Sequence, residues 1–271
     1  MIAITDKEFK LLAEYIEDNY GIQLKKEKQM LVVGRLHNVL EQMGFSNFTQ
    51  YYDDLIADKS GGAARILIDK ITTNHTYFMR ETDHFYFFRD EVLPFLRHTV
   101  KDKDLRIWCA ASSSGEEAYT LAMIVDEFFK EDKIGWDTKI LATDISSNVL
   151  EIARQGIYSY ERILPLPREW QARYFKKYDH ENSVIVDRIK KEVIYRKLNL
   201  MENQFPFKKK LHVIFCRNVM IYFDSKTKDK LIEKFYDHLE VGGYLFIGHS
   251  EWINLEKTKF KHIKPAVYRK K

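Results

Sequence analysis

The chain has 271 residues, of which 45% are hydrophobic, 14% aromatic and 31% charged. This composition excludes a disordered chain and supplies enough apolar surface for one or two domains with cores of their own. The net charge of +4 is too small an excess to argue for a nucleic-acid partner without a clustered patch. The two cysteines, Cys109 and Cys216, exclude a disulfide scaffold and cannot build a structural zinc site unaided, so a reduced, cytoplasmic protein is expected. No apolar run reaches the roughly 18 residues that a membrane helix needs, and the charged start MIAITDKEFKLL lacks the apolar stretch of a signal peptide. Neither membrane insertion nor secretion is expected.

Residues 1 to about 75 contain no convincing strand, whereas Phe9, Leu12, Ala13 and Ile16, then Met30, Val33 and Leu40, recur at helical spacing. Three or four helices fit this helical domain, with turns at Asn19-Tyr20-Gly21, Met43-Gly44 and Ser60-Gly61-Gly62. Thr5 followed by Glu8 predicts a capping box at the start of the first helix. From about residue 104, β-rich runs alternate with helical stretches. The strands are expected in LRIWCA (105–110), KILATD (139–144), VIYRKL (193–198), LHVIFC (211–216) and GYLFIG (243–248). Helices are expected over Glu116 to Lys130, Ser147 to Arg154 and Lys226 to Leu239. That alternation predicts an α/β fold with a parallel, doubly wound sheet. The rhythm stalls between Asp144 and Val193, where Pro165, Pro167 and VIVD (184–187) suggest an inserted antiparallel piece at about 165–192. A last hairpin, with Pro265 at its turn, is expected to close one sheet edge.

Four segments carry candidate chemistry. WCAASSSGEEAY (108–119) runs from a strand through a small-residue turn into a helix. In an open parallel sheet this is where ligands bind, because small side chains admit a ligand to the backbone and the helix start offers unpaired N–H groups. Gly115 is its one glycine, so the G-x-G-x-x-G fingerprint is absent, and an ordinary strand-to-helix turn would read the same way. Glu116 and Glu117 are also what the helix dipole favours without any function. Asp144 ends the next strand, where a carboxylate can accept from both hydroxyls of a ribose; the alternative is an N-cap, a task that Ser146 could equally perform. FCRNVMIYFD (215–224) places Arg217, Asn218, Tyr222 and Asp224 just past a buried strand. TTNHTYFMRE (72–81) lies at the seam between the two domains, with Arg80 among Tyr77, Phe78, Phe85 and Phe88. From spacing alone Arg80 reads equally as a partner for Glu81 or Asp83.

Together with GGYLFIGHSE (242–251), these strings resemble the chemotaxis receptor glutamate methyltransferases, the CheR family, and the resemblance runs over nearly the whole chain. It implies a small all-helical domain (1–75) followed by a Rossmann-like class I methyltransferase domain (76–271) that carries a small antiparallel β-subdomain. It further implies S-adenosylmethionine as methyl donor, S-adenosylhomocysteine as product and no metal. On the positions that match the family, Asn74, Thr76, Arg80, Ala111, Gly115, Glu117, Asp144, Asn199, Leu200, Asn218 and Val219 fall where the cofactor binds. Arg80 and Tyr222 fall at the methyl-transfer centre. Met79, Ser114 and Ala118 depart from the family strings without removing a polar group from that set. A CheR-like scaffold that binds the cofactor and methylates nothing is the alternative.

The implied partners are the cytoplasmic helices of methyl-accepting chemotaxis receptors, met by a monomer that binds no nucleic acid. The helical domain carries a local basic run, Lys25, Lys26, Lys28 and Arg35, within a segment of 9 Lys+Arg against 11 Asp+Glu. Lys28 and Arg35 would share a face of one continuous helix. Some relatives dock their β-subdomain on a pentapeptide at the receptor's carboxyl terminus. The matching stretch here, YFKKYDHENSVIVD (174–187), has no glycine, and independence of that pentapeptide is expected.

Overall fold

The computed structural model describes residues 2–271. Four helices make the amino-terminal unit: α1 (Asp6–Tyr20), α2 (Gln29–Met43), α3 (Phe48–Ala57) and α4 (Gly62–Ile71). The capping box is formed, with the Thr5 hydroxyl accepting from the Glu8 N–H and the Glu8 carboxylate accepting from the Thr5 N–H. The second oxygen of Glu8 accepts from Thr49 at the start of α3, so one side chain caps a helix and ties it to another. Gly21 (φ 70°) and Gly44 (φ 75°) end α1 and α2 in the left-handed region that glycine enters without steric cost. Phe9, Leu12, Ile16, Leu36, Leu40, Tyr51 and Leu67 form a separate core.

After the seam, α5 (Thr82–Phe87) passes through a π-helical turn (Phe88–Val92) into α6 (Leu93–Thr99). The sheet domain then runs β1 (Ile107–Ala110), α7 (Glu116–Phe129), β2 (Ile140–Asp144), α8 (Ser147–Gln155), β3 (Ile157–Ser159), α9 (Tyr160–Ile163), α10 (Arg168–Tyr174), β4 (Phe175–Lys177), β5 (Asn182–Ile185), α11 (Asp187–Lys190), β6 (Val193–Lys197), β7 (Leu211–Cys216), α12 (Ser225–His238), β8 (Leu239–Ile247), β9 (Phe260–Lys264) and β10 (Val267–Lys270). The large sheet has the order β6-β2-β1-β7-β8-β10-β9. Its first five strands are parallel and the closing β9–β10 hairpin is antiparallel, as expected.

Both faces of this sheet are covered, which explains the continuous apolar strand sequences. Ile107, Cys109, Val213, Phe215, Tyr244 and Phe246 point into one core. Their neighbours Trp108, Ala110, Ile214, Cys216, Leu245 and Ile247 point into the other, the period of two that a pleated strand imposes. The inserted piece is a three-stranded sheet, β3-β5-β4. It begins at Ile157, earlier than the expected 165, because the short strand IYS carries no breaker residue to announce it. β8 likewise starts at Leu239, ahead of the glycine pair that marked it in the sequence.

Candidate functional site

Strand order reverses at β1, which pairs with β2 on one side and β7 on the other. A crevice opens outside the carboxyl ends of strands at such a point. Here it is a cleft open to solvent, with Ala111 from the end of β1, Asp144 from β2, and Arg217 with Asn218 from the end of β7 on its walls. Of the sequence-predicted residues, Asn74, Thr76, Arg80, Ala111, Glu117, Asp144, Asn199, Leu200, Asn218, Val219 and Tyr222 all line this cleft.

Gly115 does not. A Cβ there would stand 2.7 Å from the Tyr195 hydroxyl and 2.9 Å from Ala153 Cβ, at φ 97°. Gly115 therefore lets α7 start tightly against its neighbours and is a packing residue of the turn. The conformations that glycines usually supply in such a turn fall on Ala111 (φ 65°) and Ser113 (φ 48°), positions with small side chains but a backbone cost. Ser112 lines the cleft, and its Oγ is buried with no hydrogen-bond partner among the described residues.

Asp144 accepts the backbone N–H groups of Ser113 (2.8 Å) and Ser146 (3.0 Å). Its pKa is raised by burial, against those hydrogen bonds. Ser146, not Asp144, caps α8, through the Val149 N–H, so Asp144 keeps free lone pairs on a carboxylate fixed by the turn itself.

At the other end stands a buried ion network. Arg217, whose side chain is 1% exposed, reaches Glu117 Oε2 at 2.6 Å and Glu81 Oε2 at 3.1 Å, and also donates to the carbonyl of Arg80. The other Glu117 oxygen accepts from the Cys109 thiol at 3.0 Å, whose pKa burial and then Glu117 push well up. Asn218 (φ 59°) donates to Glu81 Oε1 at 3.0 Å. Burial pushes the Glu81 pKa up, but the Asn218 hydrogen bond and the Arg217 charge outweigh it and hold the carboxyl below its ordinary value. Glu251 anchors the same loop by accepting the N–H groups of Asn218, Ile221 and Gly248. Glu81 and Glu251 each end one of the quoted strings, TTNHTYFMRE and GGYLFIGHSE, but nothing in the local sequence signals that they fold back on Arg217 and Asn218.

Arg80 is left outside this network. Its guanidinium donates to the His75 carbonyl (2.8 Å), lies over the Tyr77 ring and faces the cleft; among the described residues it has no carboxylate partner. The helical unit forms the opposite wall with Tyr20, Ile22, Leu24, Lys28 and Leu31. That wall is held in place by Gln23, which donates to the Tyr222 carbonyl (2.8 Å), and by Asn199, which donates to the Asn19 carbonyl (2.7 Å). Arg35 turns inward to the carbonyls of Ile71 and Thr72 and to Thr73, so it does not join Lys28 in a free basic face.

Residues 74–269 match the family described as CheR methyltransferase, SAM binding domain, and residues 7–72 match CheR methyltransferase, all-alpha domain. A chemotaxis protein methyltransferase of Borreliella burgdorferi is 44% identical over 99% of this chain and 96% of that protein. A probable chemotaxis protein methyltransferase of Rhizobium etli is 40% identical over 94% of this chain and 96% of its own. The chemotaxis protein methyltransferase of Escherichia coli is 34% identical over 98% and 92%. The chain belongs to the CheR methyltransferase family, S-adenosylmethionine-dependent methyltransferases of chemotaxis.

Proposed function

We propose that the protein methylates glutamate side-chain carboxylates on the cytoplasmic helices of chemotaxis receptors, giving glutamate methyl esters and S-adenosylhomocysteine. The observation that carries this reading is Arg80, a guanidinium on the cleft wall with no carboxylate partner among the described residues. S-adenosylmethionine, when bound, supplies the electrophile, a methyl group on a sulfonium whose departure leaves a neutral thioether.

The residues present fit that group. Asp144 would take the ribose hydroxyls on its free lone pairs, and the turn from Ala111 to Ser113 lines the same space. The Glu117–Arg217 pair offers both signs of charge for an amino-acid moiety, and Leu200 and Val219 give apolar walls. A glutamate with pKa about 4.3 is already ionised at pH 7 and needs no general base. Of the acidic side chains on the cleft, Glu117 is paired with Arg217 and Cys109, and Asp144 is held by two backbone donors at the ribose position. Catalysis then rests on orientation and exclusion of water. Arg80 holds one oxygen of the incoming carboxylate and leaves the other free to attack; Tyr222 walls the space beside it. The exposed Lys25 and Lys28, the latter on the cleft mouth, attract an acidic receptor helix.

Incubation with methyl-labelled S-adenosylmethionine and a receptor cytoplasmic fragment tests this. The label is expected on the receptor and released as methanol by mild alkali. Label that survives alkali would mark methylation at nitrogen and overturn the carboxyl assignment.

A further inference from the structure

Behind the Arg217–Glu81 pair, three metal-ligating side chains converge that methyl transfer does not use. Glu81, His84 and His249 each offer a ligand atom, all within 4.8 Å of one another. Glu81 precedes α5 in a left-handed conformation (φ 55°), His84 lies in the first turn of α5, and His249 follows β8. His84 Nδ1 is 3.6 Å from Glu81 Oε2, and the two imidazole rings meet edge to face with centroids 4.6 Å apart.

The unusual member is His84. It is 0% exposed, and neither ring nitrogen has a hydrogen-bond partner among the described residues. A neutral imidazole carries one N–H and one lone pair, and burying both unanswered costs the desolvation of each. A neutral imidazole keeps one ring lone pair, which a metal ion can take.

We propose that Glu81, His84 and His249 bind one divalent transition ion of the zinc class, with the remaining coordination positions facing water on the exposed His249 side. Two imidazole nitrogens and one carboxylate oxygen suit zinc, cobalt or nickel, whereas magnesium and calcium select oxygen-only shells. Donors around a tetrahedral zinc stand roughly 3.3 Å apart, so binding draws the exposed His249 inward and turns Glu81 toward the ion. Arg217 opposes this, because it must give up part of its pairing with Glu81; micromolar affinity follows rather than the tight binding of a structural zinc. Glu81 also holds Asn218, which lines the cofactor cleft, so turning Glu81 toward the ion releases Asn218, and ion and cofactor weaken each other by the same factor.

The test uses the full chain freed of metal with a chelator. Co²⁺ is added and its visible absorption followed, then Zn²⁺ is titrated against a chromophoric chelator. One ion per chain is expected, with the intense bands of low-coordinate, nitrogen-ligated cobalt. His249→Ala should weaken Zn²⁺ by at least about 100-fold, while His262→Ala, an exposed histidine on β9, leaves it unchanged. Because His84 is buried, the exposed His249 carries the test without risk to the fold. Absence of stoichiometric binding below roughly 100 μM, or binding unaltered in His249→Ala, overturns the site. Saturating Zn²⁺ should also weaken S-adenosylhomocysteine in the wild type and not in His249→Ala; equal affinity with and without zinc overturns the shared-carboxylate link.

Discussion

The Arg217 guanidinium pairs with Glu81 at 3.1 Å and so takes the carboxylate that stands beside Arg80 in the sequence. One arginine is thereby buried between two acids and the other is left free on the cleft. Their substitutions should separate. Arg217→Ala leaves Glu81 and Glu117, both largely buried, without a counter-charge and should cost about 3–5 kcal/mol of stability. Arg80→Ala gives up one hydrogen bond to a carbonyl and should cost under about 1 kcal/mol, yet lower methylation far more than it lowers S-adenosylhomocysteine binding. Denaturant unfolding of the two variants beside calorimetry and rate measurements decides this. Equal stability losses would make Arg80 a structural residue.

Asp144→Asn keeps the size of the side chain but turns one acceptor into a donor against the N–H groups of Ser113 and Ser146. Loss of a charge-assisted pair to the ribose should cost about 1.5–3 kcal/mol, a roughly 10- to 150-fold weakening of S-adenosylhomocysteine. Wild-type affinity by calorimetry would remove Asp144 from the binding site.

Most of the sheet was legible in the sequence, and Asp144, Arg217 and Asn218 stood out because apolar strand runs end abruptly in polar groups, as at Cys216-Arg217-Asn218; Asn74, Asn199, Leu200 and Val219 were reached only through the family resemblance, and the wall of Tyr20, Ile22, Leu24 and Leu31 depends on how the helical unit packs, which local spacing does not contain. Gly115, expected at the cofactor, stands off the cleft wall, and the sequence could not show this because glycine signals two things with one letter. It marks either close approach of a ligand or close approach of the protein's own atoms, and only the position of Tyr195, 80 residues away by number, distinguishes them. The roles of Arg217 and Arg80 were open for a similar reason. Which arginine pairs with Glu81 depends on β7 ending against the seam, a long-range fact that local spacing does not contain. The strand Ile157–Ser159 was missed because three residues leave no periodicity to read.

Gly115→Ala carries that correction to the bench. The new methyl group would meet the Tyr195 hydroxyl at 2.7 Å and force an L residue to φ 97°, a strain of about 2–3 kcal/mol. A fall in thermal midpoint is expected, with S-adenosylhomocysteine affinity changed by less than about tenfold where the variant is folded. An unchanged midpoint with a large loss of affinity would return Gly115 to the ligand.

His212 predicts a pH dependence of stability. Its Nδ1 accepts the Arg106 N–H at 3.1 Å, and burial, then the Arg106 charge, lower its pKa from 6.5 to about 4. Between these values the unfolded chain binds the proton and the native one does not, so stability rises with pH and is lost as pH falls. The slope from this one group approaches about 1.4 kcal/mol per pH unit. The stability difference between wild type and His212→Gln should therefore shrink on going from pH 6.5 to pH 4.5. A difference that stays constant across that range would show that His212 titrates alike in both states.

The small sheet bears on how the enzyme finds its receptor. Its outer strand β4 is short, and the turn into β5 is closed by Asp179, whose Oδ1 accepts the N–H groups of Glu181 and Asn182 at 2.8 Å each. The Asn182 side chain donates back to the same carboxylate. Adding a peptide strand to a sheet edge needs an extended row of unpaired backbone groups and a loop that can open beside it. Here β4 presents only three residues, Phe175–Lys177, and the loop is locked by its own side chains without a glycine to relax it. The receptor's methylation helix is instead expected to be met by the wall of the helical unit at the cleft mouth, where Lys28 and Leu31 stand. Titration with a receptor carboxyl-terminal pentapeptide should give no binding at millimolar concentration. Micromolar affinity with chemical-shift changes confined to residues 174–198 would show that the edge of this small sheet is the docking site after all.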